Sequence, residues 1–97
     1  MLDLTAASAL VEREANLSFG RSRDNRLRVL REAIVEKHWG WIIYYGDGYA
    51  DVDADPENPS YPPYLVNRQT GEILGTGHAW PVAKYVEDYE TRLRARD

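Results

Sequence analysis

The densest run of groups able to do chemistry is Asp51-Val52-Asp53-Ala54-Asp55, with Asp47 before it and Glu57 after it. Carboxylates at alternate positions open a calcium loop of the EF-hand type, which also needs Gly at its sixth position and Glu at its twelfth. Pro56 and Pro62 stand there instead, and no helical pattern flanks the run. No metal or other cofactor is expected. His38 and His78 have the ring chemistry of an acid–base pair, but neither lies in a catalytic motif. Ser8, Ser18, Ser22 and Ser60 lack the context of a nucleophile elbow. Gly75-Thr76-Gly77 falls between strand-like and helix-like segments but lacks the lysine and the length of a phosphate loop. The expectation is a protein that binds and does not catalyse.

Two charged segments remain as recognition surfaces. Arg21, Arg23, Arg26, Arg28 and Arg31 form a basic run, diluted by Asp24 and Glu32 and without the interleaved aromatics that stack on bases. Nucleic acid is therefore not expected as a partner. The acidic run offers more. Asp47, Asp51, Asp53, Asp55 and Glu57 carry charge, and Tyr49 adds an apolar ring with a polar tip. Pro56, Pro59, Pro62 and Pro63 restrict the free segment, which lowers the entropy lost on binding. Trp80 is a second anchor of the type favoured at interfaces. The plain alternative is a solvated connection that keeps the chain soluble.

The whole chain sets bounds on these readings. Its 97 residues fit one domain, spanning 1–97. Hydrophobic residues make up 43% and charged residues 29%, as in globular proteins. Cysteine is absent, which excludes disulfides and thiolate zinc sites and suits a reducing compartment. The opening MLDLTAASALVERE has no basic lead, and acids interrupt its apolar stretch, so neither a secretory signal nor a membrane span is expected. These features point to the cytoplasm. The net charge of -4 is uneven: residues 1–46 carry seven Lys/Arg against six Asp/Glu, and residues 47–97 five against ten. Such a balance suits a basic protein partner better than a polyphosphate.

The elements follow from periodicity. Leu4, Ala7, Leu10, Val11 and Ala15 recur at helical spacing. This predicts a helix over 4–16, with Thr5 as N-cap and Asp3 near the positive end of its dipole. Residues 27–37 show both spacings. Leu27, Val29, Ala33 and Val35 share one parity, Leu30 and Ile34 the other, and a strand is favoured because Trp39-Gly40-Trp41-Ile42-Ile43-Tyr44-Tyr45 follows it. The two would pair through a turn near 37–40. Gly40 marks a bulge or turn that separates Trp39 from Trp41. Tyr64 to Val66 and Ile73 to Leu74 are short strands around a tight turn, with Asn67 capping it and Gly71 left-handed. Pro81 opens a last helix with the stripe Val82, Tyr85, Val86, Tyr89, Leu93 and the exposed pairs Asp88–Arg92 and Glu90–Arg94. The fold class is α+β: an N-terminal helix, an antiparallel meander and a C-terminal helix packed on the sheet. Trp41, Ile43, Leu65, Ile73, Val82, Tyr85, Val86 and Tyr89 are the expected core.

The C-terminal part, PPYLVNRQTGEILGTGHAWPVAKYVEDYE, resembles the YrhB-like family, also called the immunity protein 35 family. The features that carry the resemblance are Pro63-Tyr64-Leu65-Val66, Thr70-Gly71-Glu72, the link Gly75 to Gly77, Pro81, and Tyr85 with Tyr89. Gly40-Trp41-Ile42-Ile43-Tyr44 matches the family's central Gly-Trp-aromatic strand, whereas residues 4–16 match its first helix in character alone. The resemblance implies an immunity protein of a bacterial polymorphic toxin system, which binds and neutralises a toxin encoded beside it. Trp80 and the acidic proline-rich loop depart from the family pattern, and the loop is where partner choice would lie. Other readings are a chaperone-like protein that holds unfolded clients and a small-ligand module.

Overall fold

The computed structural model describes residues 1–47 and 55–96. Helix α1 (Leu4–Ser18) is followed by β1 (Arg28–Val29), β2 (Val35–Lys37), β3 (Gly40–Ile43), β4 (Tyr45–Gly46), β5 (Tyr64–Asn67), β6 (Ile73–Gly75) and helix α2 (Val82–Arg96). The main sheet is antiparallel in the order β2-β3-β5-β6, and β1 pairs with β4 in a second, two-stranded sheet. The expected α+β meander is present, with a helix on each face.

All four residues of β3 are buried, because β3 is an inner strand covered on both sides. Trp41, Ile43 and Tyr45 join Val66 and the small residues Ala7, Val11 and Ala15 of α1 in one core. Trp39, Ile42 and Tyr44 join Leu65 and Val82, Val86 and Tyr89 of α2 in the other. Strand alternation would put Trp39 and Trp41 on one face. Gly40 sends them to opposite faces: it lies at φ +156, and a Cβ built there would overlap the Val66 carbonyl oxygen. Of the expected core, Trp41, Ile43, Leu65, Val82, Val86 and Tyr89 are buried. Ile73 and Tyr85 are only half-buried. Ile73 lies on the outer strand β6, and the Tyr85 hydroxyl lies against Gly77 at the margin of α2.

The mixed periodicity of residues 27–37 has a structural cause. Arg28 and Val29 pair with Gly46 and Tyr45, whereas Val35 pairs with Ile42. Five residues, 30–34, therefore stand opposite two, 43 and 44, and the surplus of three is a 3-10 turn at Arg31–Ala33. The turn reverses which face each parity meets. Val29 and Ile34 pack on the α1 side, Leu30 and Ala33 on the α2 side.

Polar side chains tie the ends together. The N-cap of α1 is Asp3, not Thr5: its Oδ1 accepts from Ala6 N at 2.8 Å. The helix also runs two residues past the expected end. Asn16 then mimics a strand, donating to Leu27 O at 3.0 Å and accepting from Leu27 N at 2.6 Å. The β5–β6 turn forms as expected. Asn67 Oδ1 accepts from Gln69 N and Thr70 N at 2.9 and 3.0 Å, and Gly71 has φ +76. Asn67 Nδ2 donates to Tyr89 Oη at 3.1 Å, and Tyr89 Oη donates to Glu72 at 3.0 Å, which fastens the turn to α2. Arg68 closes the neighbouring hairpin, donating to Lys37 O at 2.7 Å with its guanidinium 4.9 Å from the centre of the Trp41 ring.

Of the pairs expected along α2, Arg92 and Glu90 take tertiary partners instead, and Asp88 pairs one turn earlier within the helix. Asp88 pairs with Lys84 at 2.9 Å, Arg92 with Glu72 at 3.3 Å, and Glu90 accepts from Trp39 Nε1 at 2.9 Å. A helix i,i+4 pair contributes only a few tenths of a kcal/mol, so a nearby buried ring or an anchored carboxylate prevails.

Two predictions follow from this packing. Gly40→Ala must move the Val66 carbonyl or distort β3, and we expect it to cost about 3 kcal/mol, measured by urea unfolding. Burial raises the pKa of Tyr44, Tyr45 and Tyr89 above the ordinary 10.0. At Tyr45 the neighbouring Tyr64 and Tyr61 add to it. The folded state thus favours the neutral phenols. Their contribution is complete below about pH 10 and is lost as the pH rises further, because the unfolded chain ionises first. Urea midpoints should hold steady from about pH 8 to pH 10 and fall above that. Tyr45→Phe should flatten the fall.

Candidate functional site

The turn after the acidic run carries the first part of the site. Asp55 Oδ1 accepts from Glu57 N at 3.2 Å, and Asp55 O from Asn58 N at 3.1 Å. The turn is docked at two points. Tyr44 Oη donates to Pro56 O at 2.8 Å. Glu57 meets the start of α2, its backbone oxygen accepting from Val82 N at 3.0 Å and its Oε1 from Ala83 N at 2.7 Å. The carboxylate satisfies the Ala83 N–H, which has no partner within the helix, and faces the positive end of its dipole. Pro81 supplies the preceding residue, as its fixed φ favours. Burial, and secondarily the Glu57 charge, raises the Tyr44 pKa.

This docking leaves a groove of about 610 Å³ between β2 and α2. Buried Ile42, Val82 and Val86 form an apolar floor. Glu32, Glu57, Glu87 and Glu90 line it with carboxylates, against the single ammonium of Lys37. Val35 stands on its strand side with 42% of its surface exposed. Glu57 and Glu90 already hold structural partners. Glu32 and Glu87 have no hydrogen bond or ion pair among the described residues.

Of the residues expected to bind a partner, the described ones Asp47, Asp55 and Glu57 have separate surroundings. Asp47 lines a different depression, of about 350 Å³, with Arg21, Arg23, Arg26 and Arg28. There Arg21 donates to Tyr61 Oη at 2.6 Å, and Arg26 lies 3.9 Å from Glu12. Asp55 shapes its own turn and Glu57 caps α2, so both have structural roles. Tyr49, Asp51 and Asp53 lie outside the described residues. Trp80 is 54% exposed just before α2, as its position suggested. His78 Nε2 lies 3.2 Å from Ser60 O. Among the described residues, no three His, Cys, Asp or Glu are grouped to hold a metal ion, and no helix is long and apolar enough to cross a membrane.

Sequence reasoning missed Glu32, Val35, Glu87 and Glu90 as site residues. The available signal was Glu87, beside the apolar stripe of α2, together with Pro56-Glu57, whose carboxylate stands before a Pro-initiated helix only once the chain has folded. Comparison of the chain with protein-family models, with curated proteins and with solved structures gives no match.

Glu57→Ala leaves Ala83 N without its side-chain partner, while Val82 N keeps the backbone oxygen of residue 57. We expect a loss of about 1 kcal/mol in thermal or urea unfolding, as for other N-cap deletions. Asp55→Asn keeps the turn geometry and should cost less.

Proposed function

We propose that this chain is an immunity-type protein that binds a toxin domain directly and neutralises it by occupying its surface. The observation that supports the reading is the groove between β2 and α2, which joins an apolar floor to a carboxylate rim. Interfaces of this kind join an apolar centre to a polar rim, and their charge pattern speeds association and selects the partner. The resemblance to the YrhB-like, or immunity protein 35, family supplies the toxin. The residues behind that resemblance have structural tasks. Gly40 crosses β5, Gly71 turns the β5–β6 hairpin, and Tyr89 fastens that hairpin to α2. The groove is lined largely by others, among them Glu32, Ala33, Pro56 and Glu87, which leaves it free to suit one partner. On this reading the protein works in the cytoplasm, as a binder and not as an enzyme.

The test is co-expression with the variable C-terminal toxin domain encoded by the neighbouring gene. Growth should be restored, and the two proteins should elute together on gel filtration. Continued killing with no complex overturns the reading. Suppression of heat aggregation of unrelated enzymes, in place of one tight complex, points to a chaperone-like protein.

A further inference from the structure

The geometry points to the chemistry of the groove's occupant: an extended segment of the partner, carrying aliphatic and cationic side chains on one face, that adds as a strand to the open edge of β2. This rests on the reading above that the chain acts by binding a protein.

Three observations converge on β2. It is the terminal strand of the main sheet, with β3 on one side and no strand on the other among the described residues. An unpaired edge presents backbone N–H and C=O groups that a second chain can continue. Edges that proteins protect carry charge, proline or a covering element. β2 is short and carries two charged residues, Glu36 and Lys37, yet it keeps Val35 exposed at 42%, beside the apolar floor of the groove. The residues of β2 alternate between faces: Val35 and Lys37 line the groove, whereas Glu36 pairs with Arg68 on the other face at 3.1 Å.

The charge then selects the occupant. Four carboxylates against one ammonium repel an acidic segment and attract lysine or arginine. Glu32 and Glu87, which lack internal ion pairs, are the groups left to receive those cations. An added strand sends alternate side chains to opposite faces. The set that faces α2 must therefore supply both the aliphatic side chains that cover Val35 and the floor and the cations that meet Glu32 and Glu87, while the other set faces Glu36 and Arg68.

A blocked seven-residue peptide with valine and lysine in turn at its odd positions and threonine at its even ones tests the inference, with backbone amide shifts read on the labelled full chain. The shifts should centre on Val35 to Lys37 and Val86, and the same peptide with glutamate for lysine should not bind. Two N-methylated peptides, one modified at the odd positions and one at the even positions, separate strand addition from simple charge attraction. One should lose binding and the other keep it, since only alternate amides enter a ladder. Glu32→Gln with Glu87→Gln should weaken binding about three- to tenfold and flatten its salt dependence. Val35→Lys should abolish binding while leaving the thermal midpoint close to wild type. The inference is overturned if the shifts fall on Arg21 to Arg28, if the glutamate peptide binds as well, or if both N-methylated peptides bind like the parent. The toxin domain keeps the two readings separable. A peptide that seats on β2 while the toxin forms no complex removes the immunity reading and upholds this one. A toxin complex of unchanged affinity with the Val35→Lys chain overturns this one and leaves immunity standing.

Discussion

Gly40 lies against the backbone of β5 so closely that a single added carbon would meet the Val66 carbonyl. Two cores depend on that approach. With a side chain at position 40 the strands would separate, and Trp39 and Trp41 would compete for one face. With glycine the indoles part. Trp41 goes to α1, held beneath the Arg68 guanidinium, and Trp39 goes to α2, edge-on to Tyr89 at 4.9 Å. A short sheet can hold a helix on each face only if its inner strand is apolar on both, and β3 meets that condition over its whole length.

From the α2 core the groove follows by packing. Val82 and Val86 reach Ile42 and Tyr44, and the side of α2 that faces β2 is left with carboxylates. Glu57 joins them from a distant part of the chain because the start of α2 requires an acceptor. The same group thus completes a helix and adds negative charge to the groove. Glu90 behaves alike, holding the Trp39 indole N–H while its charge faces the rim. The acidity of the groove is partly a consequence of how the fold satisfies its own donors.

Much of the architecture was legible in the sequence because local chemistry decided it. Asn67 with Gly71 specifies one turn, Pro81 one helix start, and the parity change at Gly40 the separation of two indoles. Residues 27–37 were harder. A three-residue turn inside a strand produces both periodicities at once, and only the register with β3 and β4 distinguishes them. The site was the least legible part. Runs of like charge suggested one acidic surface, but among the described residues hydrogen bonding and packing give Asp47, Asp55 and Glu57 separate tasks. Asp47 joins arginines, Asp55 a turn and Glu57 a helix end. The carboxylates that share a groove come from residues 32, 57, 87 and 90, a set with no sequence proximity to reveal it.

The groove also bears an energetic asymmetry. Like charges held near one another raise the energy of the folded state, more so where apolar walls limit screening by water. Glu57 and Glu90 offset this through their hydrogen bonds. Glu32 has no hydrogen bond or ion pair among the described residues, Glu87 has only the through-space attraction of Lys84, and Lys37 is the one cation lining the groove. A cationic partner would remove that repulsion while covering Val35 and the floor beneath it. Its contribution would therefore exceed the new contacts alone, and an acidic or neutral competitor would leave the repulsion in place. Discrimination of this kind arises from an unfavourable feature of the free protein. That suits a role in which one partner must be bound quickly and others ignored.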